Sequence, residues 1–328
     1  MKKIVLATTV ATTCLLPMAA IAGTSLYGDL RYSINSIDDE STGNDGLVAV
    51  DNVSKFGLKG SYGEGVKAFF HLQTAAAVDS DAEGDAFNQR FYMGGLEGSF
   101  GQVAYGRMTN AYKAPSVPIN AFSDVTKTGA TGSHAAGGMD YGMSNASNSF
   151  TNNTLQYTTP NMGGIKATVA LAIDDSNEDE HGYAANVMYT GVKNLTVGVA
   201  MGSTGEAVTL ANLPVDSDAL RLVASYKLNS LTLGFNYENI DDGTDDTTFA
   251  YLSAVYGLND KLDLKAAVGM VDDGGFAAEG TAVTLGAFYK ITEGTEVYAL
   301  ASSGSMEVDG TDTSNISIGA IHKFSLGN

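Results

Sequence analysis

Leu231-Thr232-Leu233-Gly234-Phe235-Asn236-Tyr237-Glu238 puts an apolar residue at every odd position and a polar or small one at every even position. Successive side chains of an extended chain point to opposite faces, so this stretch is a strand with one apolar and one polar face. The same period recurs elsewhere. Ile165, Ala167, Val169, Leu171 and Ile173 oppose Lys166, Thr168, Ala170 and Ala172, and Leu262, Leu264, Ala266, Val268 and Met270 oppose Asp263, Lys265, Ala267 and Gly269. Sixteen segments of this kind are read: 25–36, 51–62, 66–77, 86–97, 101–107, 153–159, 164–173, 182–190, 194–202, 218–227, 230–238, 247–256, 261–270, 280–289, 294–302 and 314–324. Several have the length of about 9–11 residues that a tilted strand needs to cross a bilayer.

The connections alternate in character. Gly63-Glu64-Gly65, Leu228-Asn229-Ser230 and Gly257-Leu258-Asn259-Asp260 are short, whereas 37–50, 174–181, 203–217 and 303–313 are longer and acidic. Alternation of short and long connections makes each strand pair a hairpin and gives the two rims different lengths, as in an outer-membrane barrel with periplasmic turns and extracellular loops. Tyr189, Tyr226, Tyr256 and Tyr289 each end a strand just before a short turn, on the apolar parity. Amphipathic rings at one common rim read as an interfacial girdle. Sixteen strands in an open sheet would leave edges to protect; closure removes them. In lipid, closure is also the only arrangement that pairs every backbone group of a sheet. The expected fold is all-β, a 16-stranded antiparallel transmembrane β-barrel. A barrel of 16 to 18 strands is too wide to be filled by its own side chains and leaves an aqueous channel. One connection breaks the pattern: residues 108–152 form the third long loop, and an inward fold would make it the constriction.

Composition agrees with export and with the channel. Lys2 and Lys3, an uncharged apolar run to Ala19 and the small-x-small Ala20-Ile21-Ala22 read as a signal peptide over 1–22, leaving 23–328 as the barrel. Cys14 lies in that leader, so the mature chain offers no disulfide and no thiolate. With 37 acidic against 18 basic residues, nucleic acid is excluded as a partner. The four histidines form no metal-spaced pair and no Gly-x-Ser-x-Gly elbow is present, so neither an enzyme nor a metal or other cofactor is expected. Most of the acids fall in or beside the long loops. A weak cation preference, and divalent-cation bridging to lipopolysaccharide, are expected from them.

Parity also points to the pore wall. Leu30 and Ile34 oppose Asp29 and Arg31; Phe56, Leu58 and Tyr62 oppose Lys55 and Lys59; Ala68 and Phe70 oppose Lys67 and His71; Phe91 and Met93 are read as opposing Arg90. Basic side chains therefore collect on one part of the lumen wall. Rings and patches of charge set the ion preference of a channel.

Several stretches resemble the trimeric general porins of Gram-negative bacteria. They are Ser25-Leu26-Tyr27-Gly28-Asp29-Leu30-Arg31-Tyr32, Ser54-Lys55-Phe56-Gly57-Leu58-Lys59-Gly60, Arg90-Phe91-Tyr92-Met93-Gly94-Gly95-Leu96-Glu97-Gly98-Ser99-Phe100-Gly101 with Tyr105-Gly106-Arg107, Asn153 to Gly164, and Ile318 to Phe324. The resemblance implies a homotrimer, passive diffusion of small hydrophilic solutes, and a basic wall facing acids on the third loop. Lys55, Arg90, Arg31, Lys59 and Lys67 are the basic candidates, and Asp124 and Asp140 the acidic ones. Gln156 and Thr158 stand where that family commonly carries an arginine. A substrate-selective channel, or a barrel enzyme or adhesin, are the competing readings; a row of lumen aromatics would favour the first of these.

Overall fold

The computed structural model describes residues 23–40, 45–76, 87–125, 141–144, 150–173, 181–205, 213–214, 216–272, 279–306 and 312–327. The leader read over 1–22 and the candidate Asp140 lie outside them.

The strands in chain order are β1 (Thr24–Asp39), β2 (Gly46–Asp51), β3 (Lys55–Tyr62), β4 (Lys67–Ala76), β5 (Phe87–Gly98), β6 (Gly101–Met108), β7 (Thr151–Thr158), β8 (Ile165–Ala172), β9 (Gly182–Tyr189), β10 (Leu195–Ser203), β11 (Asp218–Leu228), β12 (Leu231–Asp241), β13 (Asp246–Gly257), β14 (Leu262–Asp272), β15 (Gly280–Lys290), β16 (Thr295–Met306) and β17 (Asp312–Gly327). Each pairs antiparallel with its neighbours, and β17 returns to β1 in register from Ser25↔Gly327 to Asp39↔Thr313. The barrel is closed. Ser325, Leu326 and Gly327, beyond the expected end of the last strand, pair with Tyr27, Leu26 and Ser25 and complete the seam.

The segment read as one strand over 51–62 is two pieces, both paired with β1. Asp51 lies opposite Tyr32 and Lys55 opposite Asp29, so four steps on one strand match three on the other. The extra residue makes a bulge at 52–54, where Val53 has φ 64°. The Asn52 amide donates to the Arg31 carbonyl (2.9 Å), and the Arg31 amide donates to Ser54 Oγ (2.9 Å). β2 and β3 are thus halves of one barrel strand, and the barrel has sixteen.

A second irregularity corrects the parity of β5. Gln73 lies opposite Phe91 and Thr74 opposite Gln89, which leaves Arg90 as the extra residue. The slip reverses the alternation on its far side. Phe91 and Met93 turn inward, opposite Gln73 and His71, and Tyr92 and Leu96 stand exposed on the outer face. Arg90 still reaches the lumen, because a bulge allows two consecutive side chains on one side: its Nε donates to Gln73 Oε1 at 2.9 Å.

Elsewhere the outer face is the apolar belt that alternation predicts. Leu233, Phe235 and Tyr237 are exposed, whereas Asn236 and Glu238 are buried inside. Tyr189, Tyr226, Tyr256 and Tyr289 are all exposed at the short-turn rim. Among the described residues no helix is long and apolar enough to cross a membrane; the crossing elements are strands.

Candidate pore constriction

In the connection between Met108 and Thr151, loop L3, the described residues 109–125 and 141–144 lie inside the barrel. A chain segment buried there must find partners for its backbone polar groups, and the wall supplies them one strand at a time. Asn186 Nδ2 of β9 donates to the Ala111 carbonyl at 2.6 Å. Ser253 Oγ of β13 donates to the Ile119 carbonyl at 2.8 Å, and the Ala121 amide donates to Tyr251 Oη at 3.1 Å. Lys265 Nζ of β14 donates to the Ala121 carbonyl at 3.1 Å and Tyr298 Oη of β16 to the Val125 carbonyl at 2.5 Å. Ile119, Phe122 and Val125 pack against Tyr251, Phe288 and Tyr298. Two lumen-facing glycines make the approach possible. A Cβ on Gly269 would stand 1.7 Å from the Tyr141 carbonyl oxygen, and one on Gly234 would stand 3.1 Å from Ile119.

The two ends of L3 meet at one buried charge pair. Arg221 Nη2 of β11 lies 2.6 Å from Glu238 Oε1 of β12, and both side chains are inaccessible to solvent. Tyr112 Oη and Ser144 Oγ each donate to Glu238 Oε1 at 2.5 Å, and the Ser144 amide donates to Oε2 at 3.2 Å. Arg221 Nη1 donates to the Tyr112 carbonyl at 2.9 Å, with its guanidinium carbon 4.3 Å from the Tyr112 ring centroid. Burial and the Glu238 carboxylate push the Tyr112 phenol well up, so it remains a donor across physiological pH. Desolvating two charges is costly, and only such a set of additional hydrogen bonds offsets it.

Across the lumen, the tip of L3 meets β1 and β3. Arg31 forks onto Asp29 (Nε–Oδ1 2.9 Å, Nη2–Oδ2 2.8 Å) while its Nη1 donates to the carbonyls of Ser123 (2.8 Å) and Asp124 (3.2 Å). Lys55 Nζ lies 2.9 Å from Asp124 Oδ2 and 3.7 Å from Asp29 Oδ2. Asp124 holds a left-handed backbone, φ 52°, which Asp tolerates better than most residues. Beside this cluster, Arg90 Cζ and Lys113 Nζ lie 4.6 and 4.8 Å from the centroid of the Phe150 ring. Burial, with the Arg90 cation adding to it, pulls the Lys113 ammonium down to about 7.

The structure therefore brings Lys55, Arg31, Arg90 and Asp124 together. Lys59 and Lys67 share the inward face but stand nearer the short-turn rim: Lys59 Nζ is 5.3 Å from the Tyr27 ring centroid, and Lys67 is paired across the strands with Glu97. Sequence reading missed Lys113, which belongs to no strand and so has no parity. It also missed the Arg221–Glu238 latch, although both residues stand on the polar side of well-read strands. The signal available was two opposite charges on the inward faces of consecutive strands. Among the described residues no group of three or more His, Cys, Asp or Glu side chains could hold a metal.

Residues 7–324 match the model of the Gram-negative porin family. The chain belongs to that family. This porin is 26% identical over 302 residues to outer membrane porin protein 32 of Delftia acidovorans, covering 85% of this chain and 84% of that one. It is 31% identical over 134 residues to the major outer membrane protein P.IB of Neisseria lactamica, a match that spans 37% of each chain. Among solved structures, the anion-selective porin from Comamonas acidovorans superposes with a TM-score of 0.71 at 21% identity, covering 92% of this chain and 99% of that one. OmpF of Salmonella typhi does so with a TM-score of 0.68 at 15% identity, covering 92% and 97%. Family and fold together make this protein an outer-membrane β-barrel and a passive diffusion channel.

Proposed function

We propose that small hydrophilic solutes cross this porin past the L3 tip, along the wall of β4 and β5 beside the point where the tip is bonded to β1 and β3, and that this passage favours anions. The carrying observation is the charge balance there. Among the described residues, Arg31, Lys55, Arg90 and Lys113 face two carboxylates, Asp29 and Asp124, and both of these are engaged by Arg31 and Lys55. A low-dielectric wall focuses the field of the unbalanced cations onto the solute path. This reading replaces the weak cation preference expected from the acidic loops: a charge that acts through water is screened within about 8 Å. The structural neighbour described as anion-selective is in keeping with it.

The channel works as a homotrimer set in outer-membrane lipid, with its exposed apolar belt facing acyl chains and its acidic loops facing lipopolysaccharide. A trimer form is named for one structural neighbour, OmpT of Vibrio cholerae (TM-score 0.66, 18% identity, 93% of this chain and 100% of that one). Residues 1–22 act as the export leader. Reversal potentials of purified protein in a potassium chloride gradient test the central point. A potential with the sign of chloride selectivity is expected; the opposite sign overturns the reading.

A further inference from the structure

The lumen carries aromatic side chains on both sides, but only one set is covered. Tyr251, Phe288 and Tyr298 lie beneath L3 and are at most 2% exposed. Tyr27, Phe69, His71 and Phe91 are partly exposed on the opposite wall, and Phe150, the last residue of L3, is partly exposed beside them. Apolar area left in water does not stabilise the fold as buried area does, so the partly exposed rings contribute less to folding than the covered ones.

The uncovered rings are ordered as a track. His71 and Phe91 stack with centroids 4.4 Å apart and planes at 16°, and Phe150 meets Phe91 edge-on at 4.9 Å and 85°. Tyr27 adjoins His71 at 5.8 Å, and its hydroxyl bonds to His71 Nε2. Cations stand along the track: Lys59 5.3 Å from the Tyr27 centroid, Arg90 4.6 Å and Lys113 4.8 Å from that of Phe150. At its short-turn end, a recess of about 320 Å³ is bounded by Lys59, Phe69, His71, Met93, Glu97 and Gln102. That volume falls at the lower end of small-molecule sites, roughly 300–1,000 Å³. Glu97 is held by Ser61 Oγ at 2.7 Å and Gln102 Nε2 at 3.2 Å, so it repels an entering carboxylate toward Lys59.

We propose that this wall is a binding track for planar aromatic carboxylates, with the ring lying against Phe69, His71 and Phe91 and the carboxylate at Lys59 or Arg90. Rings offer a face to a flat solute, and cations offer charge to its acid group. The proposal rests on the channel reading for its route and names one class of anion within it. Benzoate and cyclohexanecarboxylate separate the two ideas, because they share charge and approximate size but differ in the π face.

Each is titrated against the potassium chloride current of wild-type protein in planar bilayers, and each is titrated by calorimetry against the folded protein in detergent. Benzoate is expected to bind and to block saturably, at a concentration about fivefold or more below that of cyclohexanecarboxylate, the factor that one stacking contact supplies. Phe69→Leu and Phe91→Leu are expected to erase that difference. Equal behaviour of the two acids with wild-type protein overturns the track, whatever the variants do. Absence of stepwise chloride current overturns the channel reading instead, and calorimetry then still decides the track.

Discussion

The wall beneath L3 and the wall facing it are made of the same alternating strands, yet their inward positions are filled differently. Under the loop stand Ala170, Ala184, Ala200, Gly234, Ala267 and Gly269, with tyrosines and a serine placed to bond loop backbone. On the bare wall stand Lys59, Lys67, Phe69 and His71, with Lys55 at its edge bonded to the loop's Asp124. What lies over a lumen position dictates its size and chemistry. Where backbone lies over it, a small residue gives room and a hydroxyl satisfies a carbonyl. Where water and solute lie over it, long and charged side chains remain. The loop belongs to one wall and presents its acidic tip to the other.

The contrast can be broken most severely at the latch. Arg221→Met leaves Glu238 buried without its cation, which costs about 3–5 kcal/mol. Thermal unfolding should shift down, and single-channel records should show a noisier, larger conductance as L3 loosens. Arg221→Met with Glu238→Leu should regain only part of the stability, because it relieves the unpaired carboxylate but leaves the Tyr112 hydroxyl and carbonyl and the Ser144 hydroxyl and amide without these partners. Gly269→Val comes next. Its side chain would overlap the Tyr141 carbonyl, and overpacking of this kind costs about 1–3 kcal/mol; the same unfolding assay reads it. On the facing wall, Lys55→Met with Arg90→Met leaves the nearly buried Asp124 without its cation and so also lowers stability, but its main readout is the reversal potential, which should move toward cations. Unchanged selectivity would remove both residues from the solute path. The smallest effect is pH dependence. Lys113 is charged below about 7 and neutral above it, so anion preference should fall as pH rises from 6 to 8. Lys113→Met should flatten that change.

Alternation made the barrel legible, because a period of two survives any error in strand ends. Tyr189, Tyr226, Tyr256 and Tyr289 could be assigned to one rim on the same ground. Local slips could not. The bulge at Val53 and the unpaired Arg90 each add one residue to a strand, and each reverses parity on its far side. Phe91 and Met93 were therefore read as lipid-facing, and the aromatic track went unseen. Arg90 was read as lumen-facing by a parity that does not hold there; the bulge, not the alternation, turns it inward. Lys55 and Asp124 are 69 positions apart, and only closure of the barrel with L3 folded inside brings them to 2.9 Å. Glu238 stood in the most readable strand of the chain, yet its partners Tyr112 and Ser144 come from a loop without any period.

The account turns on the L3 tip standing in the solute path beside the bare wall. Cys14, in the proposed leader, is the only cysteine of the sequence, so Asp124→Cys in a barrel beginning at Gly23 has a unique thiol. Single channels of this variant should be recorded before and after a cationic and an anionic methanethiosulfonate reagent. The account predicts that both reagents lower the conductance stepwise, and that they move the reversal potential in opposite directions, the cationic one toward stronger anion preference. Conductance and reversal potential unaffected by either reagent, with the thiol shown to be modified, would contradict it.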